Sequence, residues 1–232
     1  MFLLLLTSIH LFGNLDNNVK ILVYTTSAYK DLIMKSTLSE NLLFEICDTY
    51  DTIDAACKSR LDLFTLQSVH DFETILYLDT DIIVASDLRP VFELCQKDIL
   101  YVLEEGSLDE KKIYWGKQLF TRQEMLAIVD KSAFTSGILL FRNCKRMHGL
   151  FCAIKSDIGL RSHLDIFCDQ PFIVYNAFKY RCFDNKIFKK YAVNNETNNH
   201  MCIHHFPGGP GDRTNTKLTK MKNFLLTIYG NQ

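Results

Sequence analysis

The sequence predicts an α/β fold, a mostly parallel central sheet flanked by helices, in a single domain over residues 1–232. Three observations predict it. Short apolar or β-branched runs alternate along the chain with longer stretches of helical period, the pattern of strands layered with helices. One of these runs, Ile75-Leu76-Tyr77-Leu78, is apolar without alternation, as a strand covered on both faces would be. No repeat, low-complexity segment or change of composition marks a linker. A chain of 232 residues, 47% of them hydrophobic, is long enough to bury one sizeable core.

Taken in order, residues 1–12 are apolar and read as a buried helix. The run is too short to span a bilayer and lacks a basic leader, so a signal or anchor is the lesser reading. Gly13–Asn18 is a helix stop and loop. Val19–Thr26 is rich in β-branched residues and reads as a strand. A helix is expected over Lys30–Glu40, a short strand over Asn41–Ile46, and a helix over Thr52–Val69, where Ile53, Ala56, Cys57, Leu61 and Phe64 form an apolar stripe. After the Ile75 strand, Ile99–Leu103 is expected as a strand, Arg122–Val129 as a helix and Ala133–Phe141 as a strand. Arg146–Lys155 and Asp169–Phe178 read as helices, and Ile187–Val193 as extended. His204–Gly211 reads as a turn-rich loop, before a final helix over Lys217–Ile228.

A net charge of −1 and a pI near 6.6 give no electrostatic case for nucleic acid or an anionic membrane as partner. No stretch reaches transmembrane length. The eight cysteines are scattered, with no Cys-x-x-Cys pair, and supply neither a disulfide framework nor a zinc site. Reduced thiols in the cytoplasm are the expectation, with the secretory pathway as the alternative.

The chemistry concentrates after the apolar strand. Asp79 and Asp81 are separated by one residue, so on a strand they would point to one side, about 6–7 Å apart. Two carboxylates at a buried strand end are costly without a cation between them, and a divalent metal answers that need. Open α/β sheets also bind ligands at the carboxyl ends of their strands. The ordinary alternative is a turn or a helix cap.

The stretch continues Ala85-Ser86-Asp87-Leu88-Arg89-Pro90-Val91-Phe92, and Tyr77–Leu94 as a whole resembles the Asp-x-Asp region of family 8 glycosyltransferases, the group containing glycogenin and bacterial galactosyltransferases. Three further places follow in that family's order. Phe134-Thr135-Ser136-Gly137-Ile138-Leu139-Leu140-Phe141 is similar to its Phe-Asn-Ser-Gly-Val-Leu-Leu-Phe strand, with Thr135 in place of Asn. Asp169-Gln170 matches its Asp-Gln pair at a helix start, and His205-Phe206-Pro207-Gly208 its His-Phe-x-Gly motif. Arg60-Leu61 takes the position of its Arg-Leu.

The resemblance implies a GT-A fold and transfer of a sugar from a nucleotide-diphosphate donor, expected to be UDP-linked, with retention of configuration. It implies Asp79, Asp81 and His205 as metal ligands. Mn²⁺ suits that donor set better than Mg²⁺, the alternative, which prefers oxygen. Asp79, Arg60, Thr135, Ser136 and Gly137 would meet the donor, and Asp169 and Gln170 would lie beside the anomeric carbon as catalytic candidates. The family's Lys-Pro-Trp has no counterpart, so Lys217 or Arg213 would supply its cation. Residues 1–14 correspond to the helix that follows the family's opening strand, and that strand has no counterpart in this chain. The acceptor, whether glycan, protein or lipid, is unreadable, although Glu104–Ser132 is expected to border its site. A homodimer is left open.

Two other functions are compatible with parts of the pattern. In an Asp-x-Asp phosphatase Ile82 and Ile83 are out of place, and His205 and Arg60 have no role. A non-catalytic nucleotide-sugar-binding module would explain the missing strand and Lys-Pro-Trp, while the retained aspartates and His205 oppose it.

Overall fold

The computed structural model describes residues 1–36, 42–161, 163–164, 168–195, 201–208 and 214–230. The strands are β1 (Ile21–Thr25), β2 (Leu42–Ile46), β3 (Thr74–Leu78), β4 (Ile82–Val84), β5 (Leu100–Ser107), β6 (Ser132–Arg142), β7 (Phe183–Asp184), β8 (Ala192–Asn194) and β9 (Ile203–His205). The helices are α1 (Phe2–Phe12), α2 (Ser27–Met34), α3 (Ile53–Lys58), α4 (Arg89–Phe92), α5 (Arg122–Ala127), α6 (Lys145–Leu160), α7 (Gln170–Tyr180) and α8 (Thr214–Gly230). The chain forms two compact units: residues 1–47, 77–94 and 189–232, and residues 48–76 and 95–188.

In the first unit β1 and β2 pair in parallel, from Ile21 opposite Leu42 to Thr25 opposite Ile46. A second sheet has the order β4–β9–β8, antiparallel between β4 and β9 and parallel between β8 and β9. At one end of this sheet Ile82 is opposite His205, and His205 is opposite Asn194. The core beneath joins Phe12 of α1, Ile83 of β4 and Phe206 to Met221, Phe224, Leu225 and Ile228 of α8. Those four α8 positions are spaced i, i+3, i+4 and i+7, one helical face. Along β4 every residue is fully buried, and its Val84 N–H donates to the Ser8 hydroxyl of α1 at 2.9 Å. Ser8 in turn donates to Leu5 O at 2.7 Å. A helix side chain thus satisfies a backbone donor that a neighbouring strand would otherwise take. The residues after β4 follow suit: Leu88 N donates to Gly13 O, and Asp87 accepts the Arg89 N–H before the short α4 with its Pro90.

In the second unit, which includes Thr74–Leu76 of β3, the sheet order is β3–β6–β5–β7, with β5 and β6 antiparallel and β5 and β7 parallel. The sheets as a whole are therefore mixed. The strand buried on both faces is β6, where Ala133–Phe141 is continuously buried, whereas every residue of β3 is only half-buried. An apolar run alone does not tell these two cases apart. On α6, Met147, Leu150, Phe151 and Ile154 form the inner face, and Phe151 packs edge-on against Phe64 and obliquely against Phe141.

Several boundaries differ from the sequence reading. Helix α2 runs over Ser27–Met34, earlier than expected; Lys35 and Ser36 form a turn and a bend, and residues 37–40 of the expected span fall outside the described residues. The expected helix over Thr52–Val69 stays α-helical only to Lys58, then tightens to 3₁₀ turns over Ser59–Thr65 and Gln67–Val69. The Ser59 and Thr65 hydroxyls donate back to Ala56 O and Asp62 O, three residues earlier, which favours the tighter turn. Ile187–Lys190 is also a 3₁₀ turn rather than extended, and His204 and His205 lie in β9 rather than in a loop. No helix among the described residues is long and apolar enough to cross a membrane.

Because Ser8 is fully buried and holds the Val84 N–H, Ser8→Ala leaves that donor unpaired. The expected loss of stability is about 1–3 kcal/mol, read from urea denaturation midpoints.

Candidate functional site

Two clusters gather the residues that the sequence singles out, one in each unit. In the first, β3 ends at Leu78, Asp79 follows it, and Asp81 lies in the turn that leads into β4. The two aspartates are thus placed by a tight turn, not by strand alternation. Asp79, Asp81 and His205 bring ligating atoms within 4.8 Å of one another. The antiparallel ladder explains how residues so far apart in sequence meet: Ile82 is opposite His205, and Phe206 N donates to Asp81 O at 2.9 Å.

The side chains are fixed from several sides. Tyr77 donates its hydroxyl to Asp79 Oδ1 at 2.6 Å. Lys217, in the first turn of α8, places Nζ 2.6 Å from Asp81 Oδ2. His205 Nε2 lies 3.5 Å from Asp81 Oδ1, and His205 Nδ1 is 2.8 Å from Asn194 Oδ1. Burial pushes the Asp81 carboxyl up, but His205 and Lys217 outweigh it and hold it at about 2. Asp81 Oδ1 is buried and accepts no hydrogen bond among the described residues. Two carboxylates, one of them with a buried oxygen that has ligating capacity to spare, and an imidazole fit a divalent cation. His204, by contrast, turns its Nε2 to Met201 O and packs its ring 4.3 Å from that of Phe224.

The second cluster centres on Arg60. Its helix face is not solvated: the residue is 7% exposed. Nε lies 2.9 Å from Asp169 Oδ2 and also donates to Cys57 O, while Nη1 donates to Ser136 O at 2.6 Å. Asp169 stands at the N-cap position of α7, yet its side chain makes no capping hydrogen bond, because the carboxylate faces Arg60 instead. Gln170 Oε1 accepts from both Ser136 N and Ser136 Oγ, each at 3.1 Å. Thr135 Oγ1 accepts from Gly137 N at 3.2 Å, so the Thr-Ser-Gly segment in the middle of β6 is internally braced. Arg60, Ser136, Asp169 and Gln170 therefore form one connected network.

Further neighbours complete both clusters. Asn194 meets the metal-type cluster through strand register, which no local pattern reports, and Tyr77 from its place two residues before Asp79. Cys57 and Cys168 hydrogen-bond to each other, and that contact together with burial pushes the Cys168 thiol up, away from nucleophilic use. All eight cysteines are free. Arg213, the other cation considered for the donor, lies outside the described residues.

Arg60 and Asp169 are both buried, so removing one charge strands the other. Arg60→Met is expected to cost about 3–5 kcal/mol, and Arg60→Met with Asp169→Asn clearly less than the sum of the two single changes, in a denaturation double-mutant cycle.

The family model described as glycosyl transferase family 8 matches residues 16–148, a span that includes Arg60, Asp79, Asp81 and Thr135–Gly137. Curated protein sequences give no match. Among solved structures, the chain is similar to the galactosyltransferase LgtC in complex with donor and acceptor sugar analogues, with a TM-score of 0.64 and 16% identity over 97% of this chain and 88% of that one. It is also similar to the bifunctional glycosyltransferase WbbM, with a TM-score of 0.59 and 16% identity over 99% of this chain and 49% of that one. Mouse xyloside xylosyltransferase 1 gives a TM-score of 0.58 at 12% identity, over 88% and 90% of the two chains. These likenesses show the GT-A fold. The family match extends over more than half of the sequence, and the chain belongs to glycosyl transferase family 8, as a glycosyltransferase.

Proposed function

We propose that this protein transfers a sugar from a nucleotide-diphosphate donor, UDP-linked, to a glycan, protein or lipid acceptor, with retention of configuration and dependence on Mn²⁺. The observation that carries the reading is the approach of Asp79, Asp81 and His205 to within 4.8 Å, in a chain of this family. Bound there, a divalent cation supplies charge that stabilises the departing nucleotide diphosphate. The imidazole among the ligands favours Mn²⁺ over Mg²⁺.

The protein's own groups divide the remaining work. Lys217, already beside Asp81, contributes positive charge to the diphosphate. Arg60 fixes Asp169 and the Ser136 carbonyl while adding charge for the donor. Thr135, Ser136 and Gly137 form the backbone and hydroxyl surface for the sugar. Of the two catalytic candidates, Asp169 is fully buried and held by Arg60, which suits a positioning part. Gln170 is only half-buried, and its amide is oriented by Ser136, which suits stabilisation of positive charge at the anomeric carbon.

Calorimetric titration of UDP tests this reading. Binding is expected with Mn²⁺ present, and is expected to vanish with EDTA or in Asp81→Ala. A folded protein that binds no UDP under any of these conditions contradicts it. Gln170→Ala should lower turnover on the order of 10²-fold with UDP affinity unchanged, as initial rates on the productive donor would show.

A further inference from the structure

We propose that Asn194 is a positioning residue for the metal site: its side-chain oxygen fixes the ring tautomer of His205 and so presents Nε2 as the ligating nitrogen. The inference rests on reading Asp79, Asp81 and His205 as metal ligands.

Strand register carries it. Asn194 and His205 are direct partners in the parallel β8–β9 pair, and their side chains meet at 2.8 Å, Nδ1 to Oδ1. A carboxamide oxygen only accepts, so the imidazole nitrogen facing it carries the hydrogen. A neutral imidazole has one N–H, which leaves the lone pair on Nε2, the nitrogen 3.5 Å from Asp81 Oδ1. Metals bind the unprotonated nitrogen, and a partner that holds the opposite N–H sets both tautomer and ring orientation.

The surroundings make the contact matter. His205 is 3% exposed, so water cannot readily take over the part of Asn194. The backbone is pinned at the same point: Asn195 N donates to His205 O at 2.8 Å. Asn195 itself has φ +55°, the left-handed conformation that asparagine tolerates, and it ends β8 there. The strand thus stops with Asn194 abreast of the imidazole.

The test uses the full chain with ¹⁵N-labelled histidine. Long-range ¹H–¹⁵N correlation of the metal-free protein, at a pH where its imidazoles are neutral, should show His205 protonated at Nδ1 alone. In Asn194→Ala the protonated nitrogen should change to Nε2 or become mixed, and Mn²⁺ affinity, read from the free-ion EPR signal, should fall about 10–100-fold. Asn194→Asp keeps an acceptor at that position and should retain both the tautomer and the affinity. If Asn194→Ala keeps the wild-type tautomer, the proposal is overturned, even if affinity and melting temperature drop together as they would for a purely structural residue. A wild-type protein with the Nδ1–H tautomer that binds no Mn²⁺ overturns instead the metal reading beneath it.

Discussion

Asp81 sets the terms for the unit in which it lies. Its carboxylate is largely withdrawn from water beside a second carboxylate, an arrangement that is tolerated only where cations answer it. Within the protein the answer is the ammonium of Lys217, and the imidazole of His205 reaches the same carboxylate from another remote part of the chain. Both arrive through apolar packing. Strand β9 pairs with the fully buried β4, and α8 lies on the same core through Met221, Phe224, Leu225 and Ile228. Helix α1 closes that core with Phe12 and supplies the Ser8 hydroxyl to the backbone of β4. Hydrophobic burial thus positions the strand ends, and the strand ends position the charges.

The second cluster follows the same logic with a different charge pair. Arg60 sits on a 3₁₀ turn where its guanidinium donates to Cys57 O and Ser136 O and pairs in charge with the Asp169 carboxylate. A planar fork of donors suits that task, and a lysine in its place would lose the geometry. With its carboxylate on Arg60, Asp169 caps α7 through position alone, and Gln170 is left to meet Ser136. The β6 backbone, buried along nine residues, is the rigid floor for these contacts.

What was legible in the sequence were features that repeat locally. The apolar start of the chain, the Phe134–Phe141 run and the terminal amphipathic helix each announced an element of the right kind. The Asp-x-Asp, Thr-Ser-Gly, Asp-Gln and His-Phe-Pro-Gly motifs named the side chains that the two clusters contain. What was not legible depends on pairing between distant segments. The His204-His205 pair precedes glycines and a proline, so local composition reads as a loop, whereas pairing with Ile82 and Ile83 makes it a buried strand. The stripe over Thr52–Val69 could not separate a 3.6-residue period from a 3.0-residue one over so short a span. Asn194 carries no motif, and only strand register brings it to the metal-type cluster.

The central claim is that Asp79, Asp81 and His205 together hold a cation that meets the donor diphosphate. Anomalous diffraction at the manganese edge, from crystals grown with Mn²⁺ and UDP, tests it most directly. A single strong peak is expected, ligated by both aspartates and by His205 Nε2, with diphosphate oxygens completing the shell. A peak at other residues, or UDP bound with no metal beside Asp81, would contradict it.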